Sequence, residues 1–130
     1  MEREGGIPVV VMGLGEIGRA IAAAVLARPA LRLVGAIDAS PKFAGRTLSE
    51  VLGMPAPALV VSSDAGEALR AARGGVVLHA TGSRFDEILP QLLAAVKAGA
   101  SVVSTCEELA WPWLRYEQDA EKLDALCEQR

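Results

Sequence analysis

Aromatic side chains make up only 4% of this 130-residue sequence, histidine occurs once and cysteine twice. So few aromatics suit helices packed closely on a parallel sheet better than an aromatic-rich sandwich. Two cysteines, Cys106 and Cys127, cannot build a disulfide framework, which points to a reducing compartment. One histidine and two distant cysteines offer no metal-ligand spacing, so no metal site is expected. Positive charge is also short. Thirteen Lys and Arg against 16 Asp and Glu give a net charge of −3, which argues against the clustered basic surface that nucleic acids need. No apolar run reaches the ~18–20 residues of a bilayer span. The opening Met1-Glu2-Arg3-Glu4-Gly5-Gly6 carries acids where a secretion signal carries bases. The expectation is a cytoplasmic, water-soluble domain that touches neither membrane nor nucleic acid.

What is abundant is short apolar runs alternating with helical periods, in a chain that is 52% hydrophobic. Pro8 to Met12 is apolar at every position, as a strand buried on both faces would be. From Glu16 to Arg28, Ile17, Ala20, Ile21, Ala24 and Val25 recur at helical spacing until Pro29. Leu31 to Ile37 predicts a second strand, Leu59 to Ser62 a third, Val76 to Ala80 a fourth and Ala100 to Ser104 a fifth. Between them, Thr47-Leu48-Ser49-Glu50 has capping-box spacing for a short helix that Gly53 stops. Ser63 or Asp64 caps a helix closed by Gly74-Gly75. Phe85 to Lys97 is helical, with Pro90 predicting a bend or a fresh first turn. Tyr116 to Gln129 is a charge-mixed helix with Leu123, Leu126 and Cys127 on one side.

Strands alternating with helices and no hairpin signals specify βαβ units. Right-handed crossovers then give a doubly wound, Rossmann-type α/β sheet with expected strand order 3-2-1-4-5. Ligands of such sheets sit at strand C-termini, where the irregular stretches Ser40 to Thr47 and Glu107 to Arg115 begin.

Gly13-Leu14-Gly15-Glu16-Ile17-Gly18 is a G-x-G-x-x-G that joins the first strand directly to a helix. Gly13 permits the tight turn, Gly15 lets a diphosphate approach the main chain, and Gly18 lets helix and strand pack closely. Asp38 lies about twenty residues beyond Gly18, at the end of the second strand, where a carboxylate accepts ribose hydroxyls. The plainer reading is a structural turn with Asp38 capping its own loop. Ile17 breaks the G-x-G-x-G of methyltransferases, and coenzyme A remains an alternative ligand. Asp38, with Ala39 beside it, favours NAD by repelling a 2′-phosphate. Lys42 and Arg46 in the next loop would neutralise that phosphate if they swung toward it. The expected cofactor is NAD or NADP, with NAD favoured.

Ala80-Thr81-Gly82-Ser83 ends the fourth strand at the topological switch. Thr81 and Ser83 offer hydroxyls and Gly82 bare main chain to a cofactor, or the run caps the next helix. His79 reads as a satisfied core residue. After the fifth strand, Ser104-Thr105-Cys106-Glu107-Glu108 sets carboxylates beside the site, where they can carry a proton or stabilise a cation. Cys106 lacks an evident base to make it a nucleophile. Trp111 and Trp113 are the aromatics expected at the surface.

The succession GLGEIGRA, GAIDASPKFAGRTLSEVLG, HATGSRFDEILPQLLAAVKAG and SVVSTCEELAWPW resembles the N-terminal domain of the dihydrodipicolinate-reductase-like family. Within it, the sequence is similar to the branch holding 2,4-diaminopentanoate dehydrogenase and the native NAD(P)H-dependent amine dehydrogenases. The Ser-Thr-Cys-Glu-Glu run with Pro112 shortly after carries that likeness; the reductases have a Gly-Thr-Thr-Gly-type segment there. The resemblance implies reversible oxidative deamination, with an amine or carbonyl substrate and ammonia as small-molecule partners and a homodimer for the complete enzyme. It implies Glu107 or Glu108 as the group that holds the ammonia-derived cation, and contacts from Cys106 to the cofactor. It also implies that residues 1–130 form the cofactor-binding domain of a longer two-domain enzyme, weakly active or inactive without its substrate domain. The alternatives are a reductase of cyclic imines and a nucleotide-binding module without catalysis.

Overall fold

The computed structural model describes residues 6–130; the acidic Met1–Gly5 segment used in the leader argument lies outside them. Strand β1 (Ile7–Met12) is central, with β2 (Leu31–Ile37) on one side and β3 (Val76–His79) on the other. Strand β4 (Ser101–Ser104) follows β3 at the edge, and every pairing is parallel. The unbroken apolarity of β1 has the cause expected of it. Val9 and Val11 pack into one cluster with Leu14, Val25, Leu33 and Leu48, while Val10 and Met12 enter another with Ile37, Leu69 and Val77. Each fully buried valine contributes about 1.5–3 kcal/mol of hydrophobic stabilisation.

Helix α1 (Glu16–Leu26) covers the first face, together with the short α2 (Leu48–Leu52). Thr47 and Glu50 form the reciprocal capping box, and Gly53 ends the helix in the left-handed region. Helix α3 (Ala65–Arg70) is capped by Asp64, whose side chain accepts from the Gly66 N–H. Helix α4 (Phe85–Lys97) runs continuously through Pro90 and therefore has no fresh first turn there. Pro90 and Asp86 are both exposed, so the carbonyl that loses its helical donor is free to meet water. Two 3₁₀ turns, Glu107–Ala110 and Pro112–Leu114, lead into α5 (Glu117–Glu128), which packs on α4. A third cluster fixes that layer: Phe85, Ile88, Leu92 and Cys106, with Tyr116 and Leu123 against it.

The parallel doubly wound sheet is as expected, but the third strand, Leu59 to Ser62, is not a ladder strand. Its main chain is spent on the preceding loop: Val61 N–H donates to Arg46 O at 2.8 Å, and its carbonyl accepts from Gly45 N–H. Leu59 O likewise accepts from Leu48 N–H. Only Ser62 reaches β2, donating to Ala36 O and accepting from Asp38 N–H, so one parallel bridge, Ile37 to Ser62, stands where a strand was expected. Among the described residues the sheet is thus four-stranded, in order β2-β1-β3-β4. Cys106 and Cys127 are both free. Among the described residues no helix is long and apolar enough to cross a membrane.

Candidate functional site

The C-terminal ends of β1, β2 and β3 open onto a cleft of about 390 Å³, lined among others by Gly13, Gly15, Asp38, Ser63, Thr81 and Gln91. The three glycines of the turn have separable reasons. Gly13 adopts φ +99°, and a Cβ there would stand 2.4 Å from Ala80 O. A Cβ on Gly18 would stand 1.7 Å from Gly13 O, so that glycine lets α1 lie against the turn. Neither reason applies to Gly15. It has an ordinary φ of −65°, and a Cβ would meet nothing within 4 Å. It caps α1 with no side chain to satisfy the first-turn N–H groups, which are unpaired by construction at a helix start and attract anions. Glu16 and Ile17 are exposed in that first turn.

Asp38 braces the turn from the neighbouring strand. Its Oδ2 accepts from Leu14 N–H at 2.7 Å and its Oδ1 from Ser40 N–H at 2.8 Å. A carboxylate has roughly four acceptor positions, so capping its own loop and receiving a further donor are compatible. Leu14 itself is buried beneath the turn. Ala39 and Ala80 line the cleft. Lys42 and Arg46 do not: the Lys42 ammonium lies 5.6 Å from the Phe43 ring centroid, with the Arg19 guanidinium 5.4 Å from the same centroid, and Arg46 is 4.0 Å from Glu50. Gly82 and Ser83 lie in the β3–α4 connection, outside the cleft lining.

Beneath Thr81 lies a closed polar network. His79 is 1% exposed, with Nδ1 2.8 Å from Ser104 Oγ and Nε2 2.6 Å from Gln91 Oε1. Ser104 Oγ also accepts from Cys106 N–H, and its own hydrogen suits Nδ1. In that tautomer Nε2 carries the ring proton, 2.6 Å from Gln91 Oε1 and 2.9 Å from Thr81 Oγ1, while the Thr81 hydroxyl donates to Gln91 Oε1 at 2.6 Å. Burial holds the imidazole below its ordinary pKa, against a smaller opposing pull from Gln91, and so keeps it neutral. His79 is the satisfied core residue its apolar strand implied.

The two glutamates after β4 have different surroundings. Glu108 Oε1 accepts from Phe85 N–H at 2.7 Å, capping α4 from 23 residues away where Arg84 supplies no side-chain cap. It also accepts from the Tyr116 hydroxyl, and Oε2 meets Arg115 at 3.4 Å. Glu107 is exposed and, among the described residues, its carboxylate makes no hydrogen bond or ion pair. The Cys106 thiol is buried beside Phe85 and Leu92, its N–H donates to Ser104 Oγ and its carbonyl accepts from Leu109 N–H, so Cys106 is not among the residues that line the cleft. Trp111 is 69% exposed, its ring centroid 5.1 Å from that of Trp113.

Ser63, Ala65 and Gln91 line the cleft without having been expected there. Ser63 and Ala65 follow a β-like segment, which is the available signal for them. Gln91 sits mid-helix with no local mark of its role. A second groove, of about 410 Å³, runs beside Ala100, Val102 and Leu123 at the start of β4. It is largely apolar and away from the glycine turn.

Comparison with known proteins adds lineage to this geometry. The family described as dihydrodipicolinate reductase, N-terminus, matches residues 7–106. An amine dehydrogenase of Streptomyces virginiae is 39% identical over 100 residues, covering 75% of this chain and 28% of that protein. A 4-hydroxy-tetrahydrodipicolinate reductase of a Nostoc strain is 41% identical over 58 residues, 44% of this chain and 21% of that protein. The solved structure of an amine dehydrogenase from Mycobacterium smegmatis superposes with a TM-score of 0.87 at 30% identity, over 95% of this chain and 36% of that one. The chain thus spans about a third or less of the length of these relatives.

Proposed function

Because this chain belongs to the family of dihydrodipicolinate reductase N-terminal domains, we propose that it is the NAD(P)-binding part of an oxidoreductase of the amine dehydrogenase type. The observation that carries the reading is Gly15. It is the one glycine of the turn that neither its dihedral angles nor its neighbours require, and it faces open space between the start of α1 and Asp38. A diphosphate accounts for it: main-chain N–H groups of Gly15, Glu16 and Ile17 would donate to the phosphate oxygens. Asp38 would receive ribose hydroxyls on the acceptor positions left over by Leu14 and Ser40. Its negative charge favours NAD, and Lys42 and Arg46 are held on Phe43 and near Glu50 rather than turned toward it.

When bound, the nicotinamide supplies a hydride acceptor or donor. The reaction proposed is reversible reductive amination: a ketone or aldehyde, ammonia, reduced cofactor and a proton give an amine, oxidised cofactor and water. Glu107 is the carboxylate for holding the cation and moving its proton, since Glu108 is committed to α4, Tyr116 and Arg115. The Streptomyces amine dehydrogenase is similar over 75% of this chain, the Nostoc reductase over only 44%. That difference supports amination over the alternative, reduction of a cyclic imine, which the Nostoc relative favours.

The test joins this chain to the remaining two thirds of the Streptomyces enzyme and follows NADH oxidation. Consumption that needs both ammonia and a short ketone or aldehyde is the expected result. Reduction of a cyclic imino diacid without ammonia would instead identify a reductase.

A further inference from the structure

Thr81 stands on the cleft wall with a hydroxyl suited to donating to a ligand, yet that hydrogen is committed. It goes to Gln91 Oε1 at 2.6 Å, and the same oxygen accepts from His79 Nε2 at 2.6 Å. With His79 protonated on Nε2 and the Thr81 hydroxyl donating, both bonds call for an acceptor, and the carboxamide end that faces them is its oxygen. The Gln91 N–H₂ is therefore the opposite end, and among the described residues it has no hydrogen-bond partner, although Gln91 lines the cleft. The rest of the network fits this placement: Ser104 gives its hydrogen to His79 Nδ1 while accepting from Cys106 N–H, and the Nε2–H, 2.9 Å from Thr81 Oγ1, lies between Thr81 and Gln91.

We propose that Gln91 is a cofactor-binding residue, its carboxamide oxygen pinned by Thr81 and His79 so that its N–H₂ donates to an oxygen or nitrogen acceptor of the bound dinucleotide. This rests on the dinucleotide reading above and assigns to Gln91 the donor role that the sequence suggests for Thr81. His79 acts here as a positioning residue: it holds the amide and touches no ligand. A helix residue locked on two sides loses little freedom on binding, so its hydrogen bond is retained in full.

The experiment is titration of the chain with NADH, ADP-ribose, AMP and nicotinamide mononucleotide, for the unaltered protein, Gln91→Leu and Thr81→Val. Melting temperatures and the His79 ring ¹⁵N shifts are recorded beside each. Gln91→Leu is expected to weaken NADH and ADP-ribose about tenfold, the loss of one hydrogen bond to a charged or strongly polar acceptor. Thr81→Val, which removes one of the two bonds that pin the Gln91 oxygen and leaves the His79 bond in place, is expected to cost less, at most about threefold. AMP losing as much as NADH places the acceptor on the adenosine half. A loss confined to ligands with the full diphosphate places it on the phosphates, and a loss with nicotinamide mononucleotide places it at the other end. A Gln91→Leu loss no larger than that of Thr81→Val, or none, overturns the proposal. Failure of the unaltered chain to bind NADH and ADP-ribose at all would instead defeat the dinucleotide reading beneath it.

Discussion

Alanine replacements at the three glycines of the turn separate folding from binding within six residues. At Gly15 the backbone is in a region every L-residue adopts, and the new methyl would touch no protein atom within 4 Å. Alanine is a poorer N-cap than glycine by some tenths of a kcal/mol, and it restricts the unfolded chain by about 0.4–1 kcal/mol in the other direction. Stability should therefore stay within about 1 kcal/mol of the parent. At Gly18 the methyl would lie 1.7 Å from Gly13 O, forcing α1 off the turn at a cost of about 1–3 kcal/mol. At Gly13 a left-handed φ and a 2.4 Å approach to Ala80 O add together, for at least ~2 kcal/mol. Urea unfolding reads these differences. NADH titration should then show the reverse ranking for the best-folded variant: Gly15→Ala, near-native in stability, binds at least ~10-fold more weakly because its methyl occupies the space the diphosphate needs. A Gly15→Ala protein that binds NADH like the parent would refute the reasoning, as would one that unfolds like Gly18→Ala.

Asp38→Asn keeps one acceptor oxygen where two N–H groups now find a partner each, so it should lower stability by about 1–3 kcal/mol. It should also weaken NAD at least ~10-fold while changing NADP less; equal losses for both would contradict a ribose contact. Glu108→Ala should destabilise by about 0.5–2 kcal/mol through loss of the α4 cap, whereas Glu107→Gln should leave unfolding unchanged and abolish amination in the joined enzyme. The opposite pattern would exchange the two roles. His79 titrates below its ordinary value in the folded chain, so the unfolded chain binds the extra proton first. Its contribution to stability is therefore present above about pH 6.5 and lost as pH falls through the lower folded value. The slope of unfolding free energy with pH in that acidic range should shrink in His79→Asn, and an unchanged slope would show that burial does not hold the ring neutral.

What could be read from sequence was local. The Thr47–Glu50 capping box and the Gly53 stop lie within one helix, so the pattern and the structure coincide. The buried β1 and the glycine turn are likewise continuous in sequence, and the acid that reaches the turn ends the adjacent strand. Leu59–Ser62 misled because its apolar run describes burial, not partners: Val61 is indeed in the core, but its main chain bonds to Gly45 and Arg46 instead of β2. Glu108 and Gln91 stayed illegible for a related reason. One caps a helix that begins 23 residues earlier, and the other receives bonds from His79 and Thr81 across a strand end. No spacing rule encodes either contact; only the packing of α4 between them does.

The most direct test of the central claim is an NMR titration of the nitrogen-15-labelled chain with NADH. Binding at the glycine turn predicts saturable shifts centred on the amides of Gly13 to Gly18 and of Asp38 to Ser40, with little change beside Ala100 and Leu123. Still amides at the turn, with shifts gathered instead in the groove between β4 and α5 or nowhere, would contradict it.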